Sequence, residues 1–356
     1  MKISYVKQLG SMSQTPELEV EFFFEKGLYL HKTGNHQAAI ASYDKVLELQ
    51  PDHYEAWYNR GNALYYSGQY KQAITNYDYV LKYRPGFHEV WNNRGNALDD
   101  LGRYEEAIAS YDQSLKFQPD YYWAWYNRGI SLRHLGRYEE AIISYARAIE
   151  FKPDYVWAWY NWGLALRHLG CYDKMLAVYD KALEFKPDFY EAWNNRGNAL
   201  YYLKCYQEAV ANYDMAIELK SDYAWAWSNR GHALRKLGRY EAALDSYTIA
   251  LDLQPGDYDT WKHRGNVLTQ LGRYEEAIAN FDNILTLKPD DACAYYYKAC
   301  GYALQGQIEL ALQNLEQLFK LPCKSHNYSE IAKTDPDLDK VRADERFQAL
   351  IQTQAG

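Results

Sequence analysis

Histidine and cysteine are the side chains of this 356-residue sequence best suited to metal or nucleophilic chemistry, and it contains nine histidines and five cysteines. His134 and His168 are 34 residues apart, so two separate segments would have to converge before both could bind one metal ion. Cys293 and Cys300 would lie about 10 Å apart along one helix, which is too far for a disulfide. We therefore predict free thiols and no metal site.

Paired carboxylates could perform acid–base chemistry, but Asp99–Asp100 and Glu105–Glu106 are typical of solvated helix faces. The sequence contains no GxSxG or HExxH motif, no P-loop motif and no strand-associated GxGxxG motif. We therefore predict that the chain is not an enzyme and binds no cofactor.

The charge balance narrows the class of partner. The sequence has 39 lysines and arginines against 47 aspartates and glutamates, a net charge of −8, which argues against general binding of nucleic acids or anionic membranes. No uncharged run reaches the roughly 20 residues that span a membrane, and residues 1–20 contain no apolar signal-peptide core. We predict a cytoplasmic protein that neither binds nucleic acid nor inserts into a membrane.

A period of 34 residues organises the whole sequence. Seven prolines share it, with Ser221 in the single gap: Pro51, Pro85, Pro119, Pro153, Pro187, Pro255 and Pro289. Seven tryptophans follow six residues later: Trp57, Trp91, Trp125, Trp159, Trp193, Trp227 and Trp261. Such regularity predicts an array of small repeats and not a few globular domains.

Each period predicts two helices. In residues 54–68 the apolar side chains lie on one helical face, and Gly68 is a typical left-handed helix end. Residues 69–85 carry a second apolar stripe, which Pro85 ends. A small residue at Gly61 would let the two helices approach closely.

The repeated pattern is W-x2-R-G-x2-L, then A-x3-Y, then P, and it resembles the tetratricopeptide repeat family, whose pattern is W-x2-L-G-x2-Y, A-x3-F and P. The NRGNAL and LGRYEEAIASYD segments resemble bacterial, particularly cyanobacterial, members. The resemblance implies an all-α fold, a right-handed superhelical solenoid of helix-turn-helix repeats. Its concave groove would bind extended peptides or partner helices.

Nine repeats begin at residues 20, 54, 88, 122, 156, 190, 224, 258 and 292. We predict a polar N-terminal lead at 1–19, the repeat array at 20–325 and a helical C-terminal cap at 326–356. Five apolar residues of the cap would cover the open end of the array: Leu338, Val341, Phe347, Leu350 and Ile351.

The leucine that precedes glycine in the family pattern is arginine here: Arg60, Arg94, Arg128, Arg196, Arg230 and Arg264. This position lies on the packed side of the first helix, where a guanidinium needs a partner. An aspartate of the preceding repeat, sixteen residues earlier, fits that role: Asp44, Asp78, Asp112, Asp180 and Asp214, with Asp282 before Lys298. Where alanine (Ala146) replaces the aspartate, tryptophan (Trp162) replaces the arginine sixteen residues later. Only Thr248 before Arg264 departs from this pairing. We predict a ladder of ion pairs within 4 Å, each costing several kcal/mol when one side is removed.

The face opposite the tryptophan stripe comprises positions 2, 5, 6, 9, 12 and 13 of each first helix, and we call it the candidate binding face. It carries two asparagine series: Asn59, Asn93, Asn127, Asn161, Asn195 and Asn229 at position 6, and Asn62, Asn96, Asn198 and Asn266 at position 9. A carboxamide donates and accepts hydrogen bonds, so these residues could hold a peptide backbone. The alternative is that asparagine is merely tolerated on an exposed helix.

Repeats four, five and seven differ from the others on this face. They carry tryptophan at position 2 (Trp123, Trp157 and Trp225) and basic pairs at positions 12 and 13 (Arg133–His134, Arg167–His168 and Arg235–Lys236), with Tyr126 and Tyr160 between. Tryptophan and arginine dominate interface hot spots, and arginine binds carboxylates through a rigid fork. We predict a primary site across repeats four to seven for an extended acidic peptide or a phosphopeptide. The alternative is that the tryptophans pack on the next repeat and the basic pairs only solvate helix ends.

These observations favour a non-enzymatic scaffold for protein or peptide partners. An assembly chaperone for a membrane or photosynthetic complex and a regulatory subunit of a separate enzyme remain alternatives, because the fold does not decide among them. The many tyrosines and tryptophans also leave self-association open.

Overall fold

The computed structural model describes residues 15–321 and 328–353, and all regular secondary structure in these residues is helical. The first helices of the repeats are Pro16–Lys32, Tyr54–Tyr66, His88–Asp99, Tyr122–His134, Val156–His168, Tyr190–Tyr202, Ala224–Lys236, Tyr258–Gln270 and Ala292–Leu304. The second helices are His36–Leu49, Tyr70–Tyr83, Tyr104–Phe117, Tyr138–Phe151, Tyr172–Phe185, Tyr206–Leu219, Tyr240–Leu253, Tyr274–Leu287 and Ile308–Lys320. Most of the predicted lead at 1–19, and the start of the predicted cap at 326, lie outside the described residues.

The chain divides into two compact bodies, Met1–Phe185 and Lys186–Gly356. Within each body, every first helix packs against the second helix of its own repeat, and every second helix packs against the first helix of the next repeat. This consecutive packing of helix pairs confirms the predicted all-α solenoid. The first body contains the helix pairs of repeats one to five, and the second contains repeats six to nine and the C-terminal helices.

The glycine at position 8 sets the spacing within a helix pair. A Cβ atom on Gly95 would lie 2.5 Å from the ring of Tyr111, well inside van der Waals contact. Tyr111 is fully enclosed by the pair, with 1% of its surface exposed. The pair therefore packs as a tyrosine ring laid directly on a helix backbone, and the sequence needs glycine there.

The tryptophan and proline series are linked by a hydrogen bond. The indole Nε1 of Trp57 donates to the carbonyl oxygen of Pro51 at 2.8 Å, and the bond recurs in each later repeat that carries the tryptophan. Trp227 makes it at 2.9 Å to the carbonyl of Ser221. Serine can fill the gap in the proline series because the acceptor is a backbone carbonyl, which every residue has.

The ladder of ion pairs is confirmed within both bodies. Arginine Nε lies 2.6 to 2.7 Å from aspartate Oδ1 in four pairs, and Lys298 Nζ lies 2.5 Å from Asp282 Oδ1. The four pairs are Arg60–Asp44, Arg94–Asp78, Arg128–Asp112 and Arg230–Asp214. At the exception, Arg264 Nε donates to Thr248 Oγ1 at 3.2 Å, so a hydrogen bond to a hydroxyl takes the place of the ion pair.

The predicted free-energy cost of removing one partner of an ion pair is too high. The arginine side chains are 19% to 23% exposed, but the aspartates are 44% to 52% exposed. Water screens such a carboxylate, so the pair contributes on the order of 1 kcal/mol and not several. Each of these arginines makes two further contacts in its own repeat, to a serine or asparagine of the second helix and to the tryptophan ring.

The C-terminal helices Tyr328–Thr334, Asp339–Arg342 and Glu345–Thr353, with the 3-10 turn Pro336–Leu338, follow repeat nine. Four of their predicted apolar residues are buried in one cluster with repeat nine, and the fifth is partly buried against it: Leu338, Val341, Phe347 and Ile351, then Leu350. The Tyr296 hydroxyl also donates to Asp335 at 2.5 Å. These contacts cover apolar surface that repeat nine would otherwise expose.

Candidate peptide-binding face

Asparagine links the first helices of consecutive repeats in the first body. Asn93 Nδ2 donates to Asn62 Oδ1 at 3.1 Å and to the Tyr58 hydroxyl at 3.2 Å. Asn127 Nδ2 makes the equivalent bond to Asn96 Oδ1 at 3.0 Å. Position 6 of one repeat is therefore hydrogen-bonded to position 9 of the repeat before it, which joins neighbouring repeats through side chains alone.

Asparagine at position 9 also accepts a hydrogen bond from the core tyrosine of its own repeat. The Tyr77 hydroxyl donates to Asn62 Oδ1 at 2.9 Å, and Tyr213 donates to Asn198 Oδ1 at 2.9 Å in the second body. A tyrosine hydroxyl buried against a glycine needs such an acceptor. This asparagine thus has a structural role that the sequence analysis did not assign to it.

Four more of the predicted asparagines also make hydrogen bonds. Asn59 Nδ2 donates to the Glu55 carbonyl, Asn161 Nδ2 to the Trp157 carbonyl and the Tyr126 hydroxyl, Asn195 Nδ2 to the Glu191 carbonyl, and Asn229 Nδ2 to Asn194 Oδ1. Asn161 and Asn195 are buried. Burial of Asn161 and Asn195 disfavours the interpretation of these two residues as merely tolerated on an exposed surface, and a peptide would meet amide groups that already make hydrogen bonds within the chain.

In repeats four and seven, arginine at position 12 lies beside the core tyrosine in place of an asparagine at position 9. Position 9 there is Ile130 or His232, neither of which makes the tyrosine bond of the asparagine repeats. Arg133 Nε is buried beside the core Tyr145, and burial raises the pKa of Tyr145 while the arginine charge opposes that rise. Arg235 has the same relation to the core tyrosine of repeat seven, whereas Arg167 of repeat five is exposed. The predicted arginines therefore lie partly over the core.

His134 and His168 stack on tyrosines of the preceding repeat. The His134 ring lies 5.0 Å from Tyr104 at 11°, and the His168 ring lies 4.5 Å from Tyr138 at 4°. Burial and the charges of two neighbouring arginines lower the pKa of His168. Each imidazole has one face covered, so it could offer a partner its other face and its edge.

The three tryptophans at position 2 are open to solvent. Trp123 and Trp157 are 40% exposed and Trp225 is 56% exposed. Trp123 also packs edge-on against Tyr155, the last residue of its own repeat, with ring centroids 5.1 Å apart. Trp157 lies 6.0 Å from Tyr160 at 87°. Trp123 therefore combines an aromatic contact within repeat four with an apolar surface that a partner could contact.

One carboxylate of the chain already lies near this basic edge. Ser131 of repeat four donates to Asp99 of repeat three, and the charges of His134 and Arg133 act on the same carboxylate. Burial nevertheless raises the pKa of Asp99 above its ordinary value. Asp99 would compete with an acidic ligand for Arg133. This competition weakens ligand binding by Arg133 alone and favours a ligand that contacts several repeats.

The described residues contain no group of three or more histidine, cysteine, aspartate or glutamate side chains arranged to hold a metal ion. Four cysteines are free thiols: Cys171, Cys205, Cys293 and Cys300. Cys323 lies outside the described residues. No helix in residues 15–321 and 328–353 is long and apolar enough to cross a membrane.

Stacked helix pairs with polar, aromatic and arginine side chains along one face define a repeat protein of the interaction class. Family models described as tetratricopeptide repeat match residues 58–122, 228–292 and 110–143, and one described as TPR repeat matches 27–66, 131–170, 163–204 and 197–238. Together these matches run from residue 27 to residue 292 without a gap, so the chain belongs to the tetratricopeptide repeat family. Proteins of this family are generally non-enzymatic scaffolds that bind protein or peptide partners.

Solved structures share the fold. The C-terminal part of a TPR repeat-containing protein from Cytophaga hutchinsonii is 18% identical with a TM-score of 0.58, covering 67% of this chain and 98% of that one. A tetratricopeptide repeat protein from Parabacteroides merdae is 19% identical with a TM-score of 0.52, covering 76% and 99%. YrrB, described as a TPR protein with an unusual peptide-binding site, is 25% identical with a TM-score of 0.45, covering 50% and 92%. No curated protein matches the sequence significantly.

Proposed function

We propose that this scaffold binds extended acidic segments of protein partners on the candidate binding face of repeats four, five and seven. The observation that carries the proposal is that exposed tryptophan occurs on this face in the same repeats that carry arginine at position 12. Trp123 and Trp157 are each 40% exposed in the first body, on the helices that carry Arg133 and Arg167. In the second body, Trp225 is 56% exposed on the helix that carries Arg235.

The chemistry of this face suits a carboxylate-rich chain. Tryptophan offers a large apolar contact at little cost in side-chain entropy, and a guanidinium pairs with a carboxylate or a phosphate through parallel hydrogen bonds. The asparagines keep a narrower role than the sequence suggested, because their amide donors already bond within the chain. Their Oδ1 atoms would accept from peptide N–H groups.

The test exchanges Arg133 and Arg167 for glutamate in one double variant. Binding of a fluorescein-labelled oligo-aspartate peptide, followed by fluorescence anisotropy, should weaken by at least about 2 kcal/mol if both charge pairs are desolvated. Wild-type affinity should also fall as salt is raised from low to physiological concentration, because screening weakens charge pairs.

The matched control is the double variant Arg137→Glu with Arg147→Glu, which makes the same change of net charge in repeat four away from the candidate face. Both residues lie outside the first helix, and both pair with glutamates of the second helix, at 2.6 and 2.5 Å. Affinity should stay close to wild type in the control. Equal losses in the two double variants, or binding that salt does not change, would contradict the proposed site.

We also propose a reducing compartment such as the cytoplasm, supported by the free thiols in both bodies.

A further inference from the structure

A pair of histidines occupies, between repeats seven and eight, the place that asparagines fill elsewhere. His232 stands at position 9 and His263 at position 6 of the next repeat, the two positions that Asn62 and Asn93 occupy in repeats two and three. The two imidazole rings lie 4.5 Å apart at 75°. Asn62 and Asn93 are hydrogen-bonded to each other, but His232 Nε2 and His263 Nδ1 are buried without a partner in the described chain.

Two more buried polar atoms face this histidine pair. Tyr247 is fully buried, its ring lies 5.4 Å from that of His232, and its hydroxyl has no hydrogen-bond partner in the described residues. Arg235 Nε, one turn along the helix from His232, is also buried without a partner, although the arginine lies close enough to the Tyr247 hydroxyl to oppose the rise of its pKa. The equivalent tyrosine and arginine atoms of repeat four are unpaired too, so the two histidine nitrogens distinguish this place. Buried polar atoms are nearly always bonded in folded proteins, and these nitrogens therefore indicate a site for a polar ligand.

The donors at this site favour an acceptor. The arginine Nε–H, the tyrosine hydroxyl and a protonated imidazole all donate hydrogen bonds. A metal cation is disfavoured, because the Arg235 charge acts on both histidines. A carboxylate fits, since it accepts several hydrogen bonds and brings the opposite charge.

Burial, together with the charges around the pair, keeps both imidazoles neutral in the free protein. Burial, followed by the neighbouring His263 and Arg235, lowers the pKa of His232 to about 3. Burial and then Arg235 lower the pKa of His263, with Lys262 acting in the same direction and Asp259 and Asp257 in the opposite one. Burial raises the pKa of Tyr247, which Tyr201 reinforces and Arg235 opposes, so the phenol also stays neutral.

We propose that the histidine pair binds a carboxylate of the acidic partner and takes up a proton when it does so. This regulation rests on the proposed function, and it adds that acidic segments bind the second body more tightly as pH falls. The carboxylate accepts from Arg235 and from the imidazolium, and its charge opposes the burial and the repulsion that keep the imidazole neutral.

The direction follows from proton linkage. A group whose pKa is higher in the complex than in the free protein binds a proton on association, so affinity rises as pH falls through the pKa of the complex. For one proton the limiting slope is about tenfold in affinity per pH unit. We expect a total change of about tenfold between about pH 6 and pH 8, the range in which a carboxylate-paired imidazole titrates.

The chain itself supplies the variant that removes the titration. Asparagine occupies position 9 in repeats two, three, six and eight and position 6 in repeats two to seven, so His232→Asn with His263→Asn restores the common pair. In repeat six the core tyrosine donates to Asn198 Oδ1 at 2.9 Å. Tyr247 would find the same acceptor, and the double variant should fold at least as stably as the wild type.

The experiment measures binding of fluorescein-labelled oligo-aspartate to the full chain at constant ionic strength across that pH range. Wild type should lose about tenfold in affinity on going to the higher pH, and the double asparagine variant should lose much less. The control His31→Asn with His36→Asn removes two histidines of repeat one, which lie in contact with each other, and should keep the wild-type slope. Calorimetry in two buffers of different ionisation enthalpy should give an uptake of up to one proton per peptide in the wild type.

The two proposals fail differently. Absence of binding at every pH overturns the proposed function and this inference with it. Binding with the same pH slope in wild type and in the double asparagine variant, or with no proton uptake by calorimetry, overturns this inference alone. An absence of proton uptake by the wild type overturns this inference even if the variant does not fold.

Discussion

The ion-pair ladder predicts that Asp112 and Arg128 depend on each other, and a double-mutant cycle measures that dependence. The changes are Asp112→Ala, Arg128→Trp and the two together. They reproduce between repeats three and four the combination that the chain already uses one repeat later, where Ala146 precedes Trp162. Trp162 there stacks on Trp159 at 5.7 Å and 4°, so the double variant has a native precedent for its packing.

The magnitudes follow from the contacts. Asp112 is 50% exposed and lies 2.7 Å from Arg128, so Asp112→Ala should cost about 1 kcal/mol. Arg128→Trp also removes a 2.8 Å hydrogen bond to Ser144 and a guanidinium 6.0 Å from the Trp125 ring centroid, and should cost about 2 kcal/mol. Once the arginine is gone, losing the aspartate should cost little. We expect a coupling energy of about 1 kcal/mol.

Equilibrium urea unfolding of the full chain, followed by circular dichroism, gives the four stabilities of the cycle. The coupling should shrink when the cycle is repeated in about 1 M salt, because half-exposed charges are screened. Additivity within about 0.3 kcal/mol would refute the ladder as an energetic link. A coupling above about 3 kcal/mol would refute the opposite point, that water screens the carboxylate, and would restore the buried pair expected from the sequence.

Three single substitutions should move the thermal midpoint in stated directions. Lys204 has φ +66° at the turn where the equivalent glycines have φ +69° to +81°. Lys204→Gly should therefore stabilise the fold by about 1 kcal/mol, and Lys204→Ala should not. Equal midpoints for the two variants would contradict backbone strain at Lys204. Phe281→Tyr should raise the free energy of unfolding by about 1 kcal/mol, because the new hydroxyl gives the buried, unpaired Asn266 Oδ1 a donor. Urea unfolding measures this, and an unchanged stability would show that the hydroxyl does not reach Asn266. Gly95→Ala should lose about 2 kcal/mol or more because its Cβ would lie 2.5 Å from Tyr111, and an unchanged midpoint would show that the ring moves freely.

The sequence predicted the fold well because the chain repeats one helix-pair unit nine times. Tryptophan, proline and glycine recur at fixed places, so each helix and turn is indicated several times over. Comparison between repeats also predicted partners: the exchange of Asp–Arg for Ala146–Trp162 located the ion pairs without any structure. It could not predict that the aspartates are half exposed, because exposure depends on how far each helix pair turns from its neighbour.

The candidate binding face was predicted less completely. The same comparison could have revealed the alternation in which position 9 is asparagine in repeats two, three, six and eight, while position 12 is arginine in repeats four, five and seven. What no periodicity reveals is where each hydrogen bond goes. Asn127 lies at a face position, yet its amide is bonded to Asn96 of the preceding repeat, and only the register of adjacent helices determines that contact.

The polar side chains of this face can either hydrogen-bond neighbouring repeats to each other or bind a partner. A hydrogen-bond donor that links two repeats is not available to a partner. Repeats two and three use theirs for cohesion, with Asn62 bonded to both Asn93 and Tyr77. Repeat seven leaves His232 Nε2 and Arg235 Nε unpaired on the helix that also carries the exposed Trp225. This costs stability and keeps donors available. An array tolerates such a repeat because each repeat is stabilised mainly by its neighbours. The repeats that are internally least satisfied are therefore the places where partner binding should be sought first.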